Sequence, residues 1–279
     1  MSFQLVLLAA GRGERFGGPK QFEPVGPHDE VLPHYAWKFA KSAGCDALIL
    51  VTHSDLVPIA QDRFLNSIPD RDRVKLVFQN QEAPQPDAAT GWSGPPHGTG
   101  TALICALNSS TGPWIVANAD DFYGEKGFQE AGELLHRLSE AAPFGAVLYE
   151  LDRVVPQEGA VSRGLAKIAP DGLLIGITET HGIHREGARI LDRDCNEIDP
   201  KTPTSMNLWV LSQWGGQSFL AGLGRFLKKN KPPTEFGIPQ TIAECMIVEG
   251  TSAIAVVTNS DWIGLTRRED LPEVRARLS

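Results

Sequence analysis

The sequence has little of what marks several large classes of protein. Its four cysteines, Cys45, Cys105, Cys195 and Cys245, are widely scattered, and no pair has the spacing of a zinc site. Basic charge is scarce as well, because 34 acidic and 26 basic residues leave a formal net charge of −8. A general nucleic-acid binder usually presents a net basic surface, so this balance argues against nucleic acid as a partner.

Long hydrophobic runs are also missing. The apolar run at residues 5–10 is too short to span a membrane, and no charged segment followed by an apolar core marks a signal peptide. We therefore expect no membrane partner and a reducing, cytoplasmic location.

The apolar run at residues 5–10 leads into a loop that is rich in glycine and cations. Residues 11–21 are Gly-Arg-Gly-Glu-Arg-Phe-Gly-Gly-Pro-Lys-Gln, here called the glycine loop. Glycine lets backbone N–H groups approach an anion closely, while Arg12, Arg15 and Lys20 add positive charge. A strand that ends in such a loop predicts a phosphate-binding site at the carboxyl edge of a sheet.

Two better-known phosphate loops do not fit this spacing. The Rossmann fingerprint needs a third glycine where this chain has Phe16. The P-loop needs Gly-Lys-Ser/Thr, whereas Lys20 follows a proline. An ordinary glycine-rich turn is the alternative interpretation, but it gives no reason for two arginines and a lysine among four glycines.

Apolar runs alternate with helical patterns along the first half of the chain. Strands are expected at residues 5–10, 47–52, 74–78, 114–117 and 145–151, and helices at 31–42, 55–66, 99–107 and 125–141. This alternation predicts a parallel sheet with right-handed crossovers. In the second half, the turn at residues 170–172, flanked by apolar runs at 161–168 and 173–177, predicts a hairpin whose second arm closes at Glu179. Strands are further expected at residues 206–211 and 253–258, and helices at 219–229, 239–249 and 267–278.

Two neighbouring acids follow the fourth expected strand. Asp120 and Asp121 lie in the sequence Asn-Ala-Asp-Asp-Phe-Tyr-Gly at residues 118–124. A helix cap or a solvated turn would explain such a pair by itself. Because Mg2+ is commonly held by one or two carboxylates together with substrate phosphates, the pair downstream of a phosphate loop favours a magnesium–triphosphate site.

A second segment of interest precedes the helix expected at residues 99–107. Backbone groups beside Gly98 and the hydroxyls of Thr99 and Thr101 could contact a nucleobase or a phosphate. The alternative is that these threonines only cap the helix.

Taken in order, these motifs resemble the sugar-1-phosphate nucleotidyltransferase (NDP-sugar pyrophosphorylase) family, in its single-domain branch. The resemblance covers essentially the whole chain and rests on the glycine loop and on residues 24–27, 118–124, 161–164, 206–209 and 262–266. It implies a Rossmann-like three-layer α/β/α fold with a mostly parallel central sheet and a mixed acceptor-binding lobe. It also implies a single domain over residues 1–279, with a nucleotide-binding half (1–150) and a half (151–279) that binds the acceptor and carries the C-terminal helices.

The same resemblance implies that an NMP group passes from an NTP to a sugar 1-phosphate, with Mg2+ as cofactor and pyrophosphate as the second product. The NTP would be UTP, dTTP or CTP, and the acceptor a small phosphorylated molecule; a homo-oligomer is left open. Arg15 and Lys20 would be catalytic, and Lys20 would stabilise charge at the attacked phosphorus. The nucleotide-binding residues would be Ala9, Ala10, Gly11, Gly13, Gln79, Gly98 and Thr99. The acceptor-binding residues would be Arg163, Gly164, Glu179 and Asn207.

One departure from the family pattern concerns the metal. Many relatives have a second metal-binding aspartate after the tail tryptophan, where this chain has Gly264. Asp120 would then be joined as a metal ligand by Asp121 or Asp261. A catalytically silent nucleotide-binding regulator is the alternative that this departure suggests.

A second departure concerns the acceptor. Many relatives have a lysine after the acceptor glutamate, whereas Glu179 is followed here by Thr180. Arg163 or Lys167 would have to bind the acceptor phosphate instead. Nucleotidyl transfer to a non-sugar phosphate or alcohol is therefore an alternative function.

Overall fold

An 11-stranded sheet forms the centre of the computed structural model, which describes residues 2–86, 91–232 and 234–278. Its strands and those of a small two-stranded sheet are, in chain order, β1 (Phe3–Leu8), β2 (Cys45–Thr52), β3 (Val74–Phe78), β4 (Trp114–Asn118), β5 (Asp121–Phe122), β6 (Phe144–Glu150), β7 (Val161–Ile168), β8 (Leu174–Glu186), β9 (Arg189–Leu191), β10 (Glu197–Ile198), β11 (Pro203–Leu211), β12 (Ala253–Thr258) and β13 (Ile263–Gly264). The α-helices are α1 (Leu32–Ser42), α2 (Val57–Ala60), α3 (Gln79–Glu82), α4 (Thr99–Ser109), α5 (Gly124–Leu135), α6 (Leu151–Val154), α7 (Gln213–Lys229), α8 (Ile238–Glu249) and α9 (Leu271–Leu278).

The central part of the sheet is mostly parallel. Strand β1 lies between β2 and β4, β3 follows β2, and all of these pairs are parallel. Strand β11 runs antiparallel to β4 and β6, and β12 is parallel to β6. Of these strands only β11 is reversed. The carboxyl ends of β1, β2, β3 and β4 therefore meet at one edge of the sheet.

An antiparallel extension continues the sheet beyond β11. Strand β7 pairs with β11, and β8, β9 and β10 follow in antiparallel order. The predicted hairpin is confirmed, since the N–H of Gly172 donates to the carbonyl of Ala169 in the turn between β7 and β8. Strand β8 extends well past Glu179, where the second arm of the hairpin is expected to close, because its later residues pair first with β7 and then with β9.

Alternate side chains of β1 enter two separate cores. Leu5 and Leu7 are buried with residues of α1 and α5, whereas Val6 and Leu8 are buried with residues of α4, α7 and α8. A strand covered on both faces needs a continuous apolar run, which is why residues 5–10 show no polar alternation. Helices on both faces of a mostly parallel sheet confirm the predicted three-layer α/β/α fold.

Three predicted helices differ from the observed ones in extent or winding. The helix expected at residues 55–66 begins as a 3-10 turn and ends as a π-helical turn at Gln61–Leu65. Helix α5 ends at Leu135 instead of residue 141, because Ser139 and Ala142 exchange backbone hydrogen bonds in a turn. Helix α7 begins six residues before residue 219, where Ser212 caps it by accepting from the N–H of Gly215. No helix in the described part of the chain is both long and apolar enough to cross a membrane.

A third, small apolar cluster lies under the glycine loop. Phe16 is buried there together with Leu265 of the tail and with Leu271 and Val274 of α9. The guanidinium of Arg268 lies 5.0 Å from the centre of the Phe16 ring and donates to the Phe16 carbonyl. The C-terminal segment thus supports the glycine loop from beneath, although it is more than 250 residues away in sequence.

Because two isoleucines differ in burial, their truncation to alanine should change the free energy of unfolding by very different amounts. Ile115 of β4 is fully buried, whereas Ile247 of α8 is 83% exposed. We expect Ile115→Ala to lower the free energy of unfolding by about 2–5 kcal/mol, because it removes buried methylene groups and leaves a cavity. Ile247→Ala, the matched control, should change it by no more than about 0.5 kcal/mol. Urea unfolding measures both, and similar losses would contradict this assignment of the core.

Candidate functional site

The carboxyl edge of the parallel strands opens into a cleft of about 1080 Å³. The glycine loop forms one side of the cleft, and segments that follow β2, β3 and β4 contribute to the others. Ten residues singled out from the sequence line it: Ala10, Gly11, Arg12, Gly13, Arg15, Lys20, Gln79, Gly98, Thr99 and Asp120. The fold therefore brings together side chains that are as much as 110 residues apart in sequence.

The glycine loop turns sharply around Gly13. Its φ is +63°, and its carbonyl accepts from the N–H groups of Phe16, Gly17 and Gly18. A Cβ at this position would overlap the Gly18 carbonyl oxygen, so only glycine fits. Among the described residues, no hydrogen bond uses the backbone N–H groups of residues 11–14. These donors remain available to an anion in the cleft.

Gln21 fixes the glycine loop and also contributes to the lining of the cleft. Its side chain is only 2% exposed, and its Nε2 donates to the carbonyls of Ala9 at 2.7 Å and Gly11 at 3.0 Å. Ala9 is itself buried and lies behind the cleft, where its N–H donates to the Val51 carbonyl. Tying both carbonyls inward leaves the opposite side of the backbone to face the cleft. The sequence assigned no role to Gln21, although the Pro-Lys-Gln motif contains it.

Lys20 and Asp120 form an ion pair within the cleft. Lys20 Nζ lies 2.6 Å from Asp120 Oδ2, and the two side chains are 17% and 26% exposed. A half-buried charge is costly without a partner, and each of these two groups supplies the opposite charge for the other. The pair joins the end of the glycine loop to the turn that follows β4.

Asp121 lies beside Asp120 in sequence but faces a different environment. Its Oδ2 accepts from Asn118 Nδ2 at 2.9 Å and from the Tyr123 hydroxyl at 3.2 Å. Burial is the main cause that raises the pKa of Asp121 to about 7, and the neighbouring Asp120 carboxylate raises it further. Asp121 does not line the cleft.

The remaining predicted metal ligand, Asp261, lies outside the cleft. Its side chain is 71% exposed, and Oδ1 is 3.8 Å from Nη1 of Arg153. In the described part of the chain, no group of three or more His, Cys, Asp or Glu side chains is arranged to hold a metal ion. Asp120 alone among the predicted ligands lines the cleft, so a Mg2+ ion there would need ligand phosphates or water for its remaining positions.

Gly264 is the position where the family pattern has an acid. It pairs with Asp121 between β13 and β5. A Cβ at residue 264 would overlap the Trp262 ring and lie 3.2 Å from Asp121 Oδ1. The indole ring and the Asp121 carboxylate therefore occupy the space that a side chain at residue 264 would need.

Asn207 contacts the cleft wall through Asn118. Its φ of +68° falls at an irregularity in the pairing of β11 with β6, between Ser205 and Leu208. Nδ2 of Asn207 donates to Asn118 Oδ1 at 2.8 Å, and Oδ1 of Asn207 accepts from the indole of Trp209 at 3.1 Å. Asn118, which the sequence did not single out, lines the cleft directly. Such irregularities commonly redirect a side chain near a site.

The other predicted acceptor residues lie on the β7–β8 pair and do not line the cleft. Gly164 pairs with Glu179, and the Glu179 carboxylate passes over the position of a Gly164 Cβ at 3.8 Å. Arg163 donates to the carbonyls of Val154 and Ser162. Its guanidinium also stacks 5.2 Å from the centre of the Trp262 ring, and burial lowers its pKa.

The end of the cleft that lies away from the glycine loop is built from several segments. Gln79 follows β3, His53 follows β2, and His97, Gly98 and Thr99 lead into α4. Thr99 Oγ1 accepts from the N–H of Ile238 at 3.3 Å, so that this threonine caps α8 as well as lining the cleft. His53, His97 and Glu235 are further lining residues that the sequence did not single out. No local motif marks them.

Alanine substitution should destabilise the protein at Gly13 but not at Gly11. Gly13→Ala should lower the free energy of unfolding by at least about 1 kcal/mol, because a positive φ is unfavourable for alanine and its Cβ would overlap Gly18. Gly11→Ala is the control, since a Cβ there meets nothing within 4 Å, and it should stay within about 0.5 kcal/mol. Equal losses in urea unfolding would contradict this loop geometry.

Comparison with known proteins by sequence gives a short match. No family model matches the chain. The bifunctional enzyme IspD/IspF of Agrobacterium fabrum (strain C58 / ATCC 33970) is 39% identical over 59 residues. These residues are 20% of this chain and span only 14% of the length of that curated relative.

Comparison by structure extends over nearly the whole chain. The inositol-1-phosphate CTP transferase from T. maritima is 13% identical with a TM-score of 0.63, and the match covers 99% of this chain and 96% of that one. A UDP-glucose pyrophosphorylase from Acinetobacter baumanii is 18% identical with a TM-score of 0.62, over 99% and 93%. A UDP-glucose pyrophosphorylase complexed with UDP-glucose is 19% identical with a TM-score of 0.64, over 99% and 98%. The chain thus has the fold of these nucleotidyltransferases, which confirms the predicted fold class.

Proposed function

We propose that this protein is a nucleotidyltransferase that transfers NMP from an NTP to a small phosphorylated acceptor and releases pyrophosphate. The observation that carries this proposal is the Lys20–Asp120 pair at the end of the glycine loop, 2.6 Å apart inside the cleft. A cation for phosphate and a carboxylate for a metal thus lie together where the loop offers its N–H groups. The similarity in fold to enzymes named for CTP and UDP-glucose supports the same reaction class.

The proposed reaction is an in-line displacement at phosphorus. An oxygen of the acceptor phosphate forms a bond to the α-phosphorus, and the bond from that phosphorus to the β-phosphate oxygen breaks. Pyrophosphate leaves with the electron pair. The acceptor phosphate is already ionised, so no side chain has to remove a proton. Catalysis then depends on positioning and on neutralising the charge that develops on the phosphoryl oxygens.

The residues of the glycine loop have distinct tasks in this proposal. The free N–H groups of residues 11–14 bind triphosphate oxygens, and Arg15 neutralises charge at the exposed mouth of the cleft. Lys20 is held by Asp120 at a fixed place and stabilises the transition state at the α-phosphorus.

Asp120 is the residue that would hold Mg2+. Its carboxylate lies in the cleft beside the lysine, and Mg2+ commonly takes one or two carboxylates together with substrate phosphates. When bound, the ion would neutralise the triphosphate and orient it. Asp121 is engaged by Asn118 and Tyr123, and Asp261 is exposed outside the cleft, so both are weaker candidates.

The acceptor in this proposal is a small phosphorylated molecule. A sugar 1-phosphate fits the family resemblance, with Gly164, Glu179 and Asn207 as its binding residues. One candidate for binding the acceptor phosphate, the Arg163 guanidinium, is already engaged by two carbonyls and by the Trp262 ring. It would therefore have to exchange these contacts to replace the lysine that is missing after Glu179.

Pyrophosphate release should depend on an NTP, an acceptor and a divalent metal. We expect release when the protein is incubated with Mg2+, an NTP panel and sugar 1-phosphates or polyol phosphates. A chelator should abolish it and excess Mg2+ should restore it, because Asp120 is the one predicted metal ligand that lines the cleft and a single carboxylate holds the ion weakly. The mass of the product identifies the acceptor. NTP binding without release for any acceptor would instead support the silent regulator.

Lys20→Ala should reduce kcat by about a hundredfold or more, because it removes a donor that stabilises the transition state. The far-ultraviolet circular dichroism should be unchanged. Lys229→Ala is the matched control: its ammonium pairs with Glu244 on the exposed surface of α7 and α8, so its activity should equal that of the wild type. Near wild-type turnover of Lys20→Ala would show that the role proposed for Lys20 is wrong.

A further inference from the structure

An acidic side chain lies at the end of the cleft away from the glycine loop. Glu235 lines the cleft there, and its Cγ comes within 2.8 Å of the position of a Gly98 Cβ. The residue before it, Thr234, lines a smaller adjoining cavity of about 370 Å³ together with His53, Gln79 and His97. Glu235 therefore lies beside Gly98, next to a smaller cavity whose lining includes no residue of the glycine loop.

The backbone of Glu235 is held in place by its neighbour. Phe236 is fully buried between α4, α7 and α8, with its ring 4.9 Å from that of Phe226. Its N–H donates to the His97 carbonyl at 2.7 Å, and its carbonyl accepts from the N–H of Gly100 at 2.9 Å. These two bonds fasten the segment containing Glu235 against the start of α4. Gly98, at φ +120°, leaves room for this close approach.

The carboxylate has no partner among the described residues. No hydrogen bond or ion pair within this part of the chain involves the exposed Glu235 side chain, whereas Asp120, a more buried acid of the cleft, is paired with Lys20. A carboxylate only accepts hydrogen bonds. The carboxylate also repels an anionic ligand. A cleft that contains both a triphosphate site and this carboxylate therefore favours ligands that offer the carboxylate a hydrogen-bond donor.

Nucleobases differ in the donors that they offer. Cytosine, adenine and guanine carry exocyclic amino groups, whereas uracil and thymine present a carbonyl oxygen where cytosine has its amino group. The single ring donor of uracil lies between two carbonyl oxygens, which repel a carboxylate.

We propose that Glu235 accepts a hydrogen bond from the nucleobase and thereby selects NTPs whose base carries an exocyclic amino group over UTP and dTTP. This inference rests on the proposed function, because it takes the ligand of the cleft to be an NTP with its triphosphate at the glycine loop. It narrows the nucleotide to CTP or a purine nucleotide and makes Glu235 a specificity-determining residue.

The most direct comparison uses CTP and UTP, which differ at this position of the base. The ratio of kcat/KM for CTP to that for UTP should be about ten or more in the wild type, since a hydrogen bond to a charged acceptor is made in one case only. ATP, GTP and dTTP complete the panel. Glu235→Gln should lower the CTP/UTP ratio about tenfold, because a carboxamide both donates to a carbonyl oxygen and accepts from an amine.

Glu140→Gln makes the same chemical change elsewhere. Glu140 is exposed in the turn before β6, at the amino edge of the sheet and opposite the cleft, so this variant should keep the wild-type ratio. A wild type that uses UTP or dTTP as well as CTP would overturn the inference. An unchanged ratio in Glu235→Gln would overturn it too.

Calorimetry of NTP binding separates this inference from the proposed function. The order of affinities, CTP above UTP in the wild type and equalised in Glu235→Gln, tests Glu235 even if no acceptor supports turnover. Turnover with UTP as the best substrate would leave the transfer reaction standing while refuting the role of Glu235.

Discussion

The ion pair between Lys20 and Asp120 joins the two segments that define the cleft. Lys20 ends the glycine loop after β1, and Asp120 begins the turn after β4. Both side chains are mostly withdrawn from water, so removing either partner would leave a charge without compensation, which is expensive in a half-buried place. The conformation of the loop is thereby coupled to the position of the neighbouring strand.

Neutral contacts complete the cradle that the ion pair holds in place. Gln21 draws the carbonyls of Ala9 and Gly11 inward, and the positive φ of Gly13 reverses the chain so that successive N–H groups are left open. Phe16 then anchors the far side of the loop on the C-terminal cluster. An anion site made in this way is formed before any ligand arrives, which lowers the cost of ordering it on binding.

Asp120 and Asp121 show how adjacent acids acquire different chemistry. One faces the cleft and a lysine, whereas the other is enclosed by Asn118 and Tyr123 and has its pKa raised to about 7, chiefly by burial. Asn207 supports this arrangement through Asn118, in a backbone conformation that asparagine tolerates better than most residues. The site thus depends on the irregular pairing of β11 as well as on the segment after β4 that carries the two acids.

The sequence by itself determined the glycine loop, the order of strands and helices, and the acids after β4, because these depend on periodicity and on spacing within a few residues. It also indicated about half of the residues that line the cleft. Only the tertiary structure decided which acid faces the cleft, that Asp261 stays outside it, and that Glu235 and His53 enter it. These outcomes depend on contacts between segments far apart in the chain, such as Phe236 on α4 and Trp262 against Gly264. Local spacing does not encode such contacts, because they depend on which distant segments the folded sheet brings together.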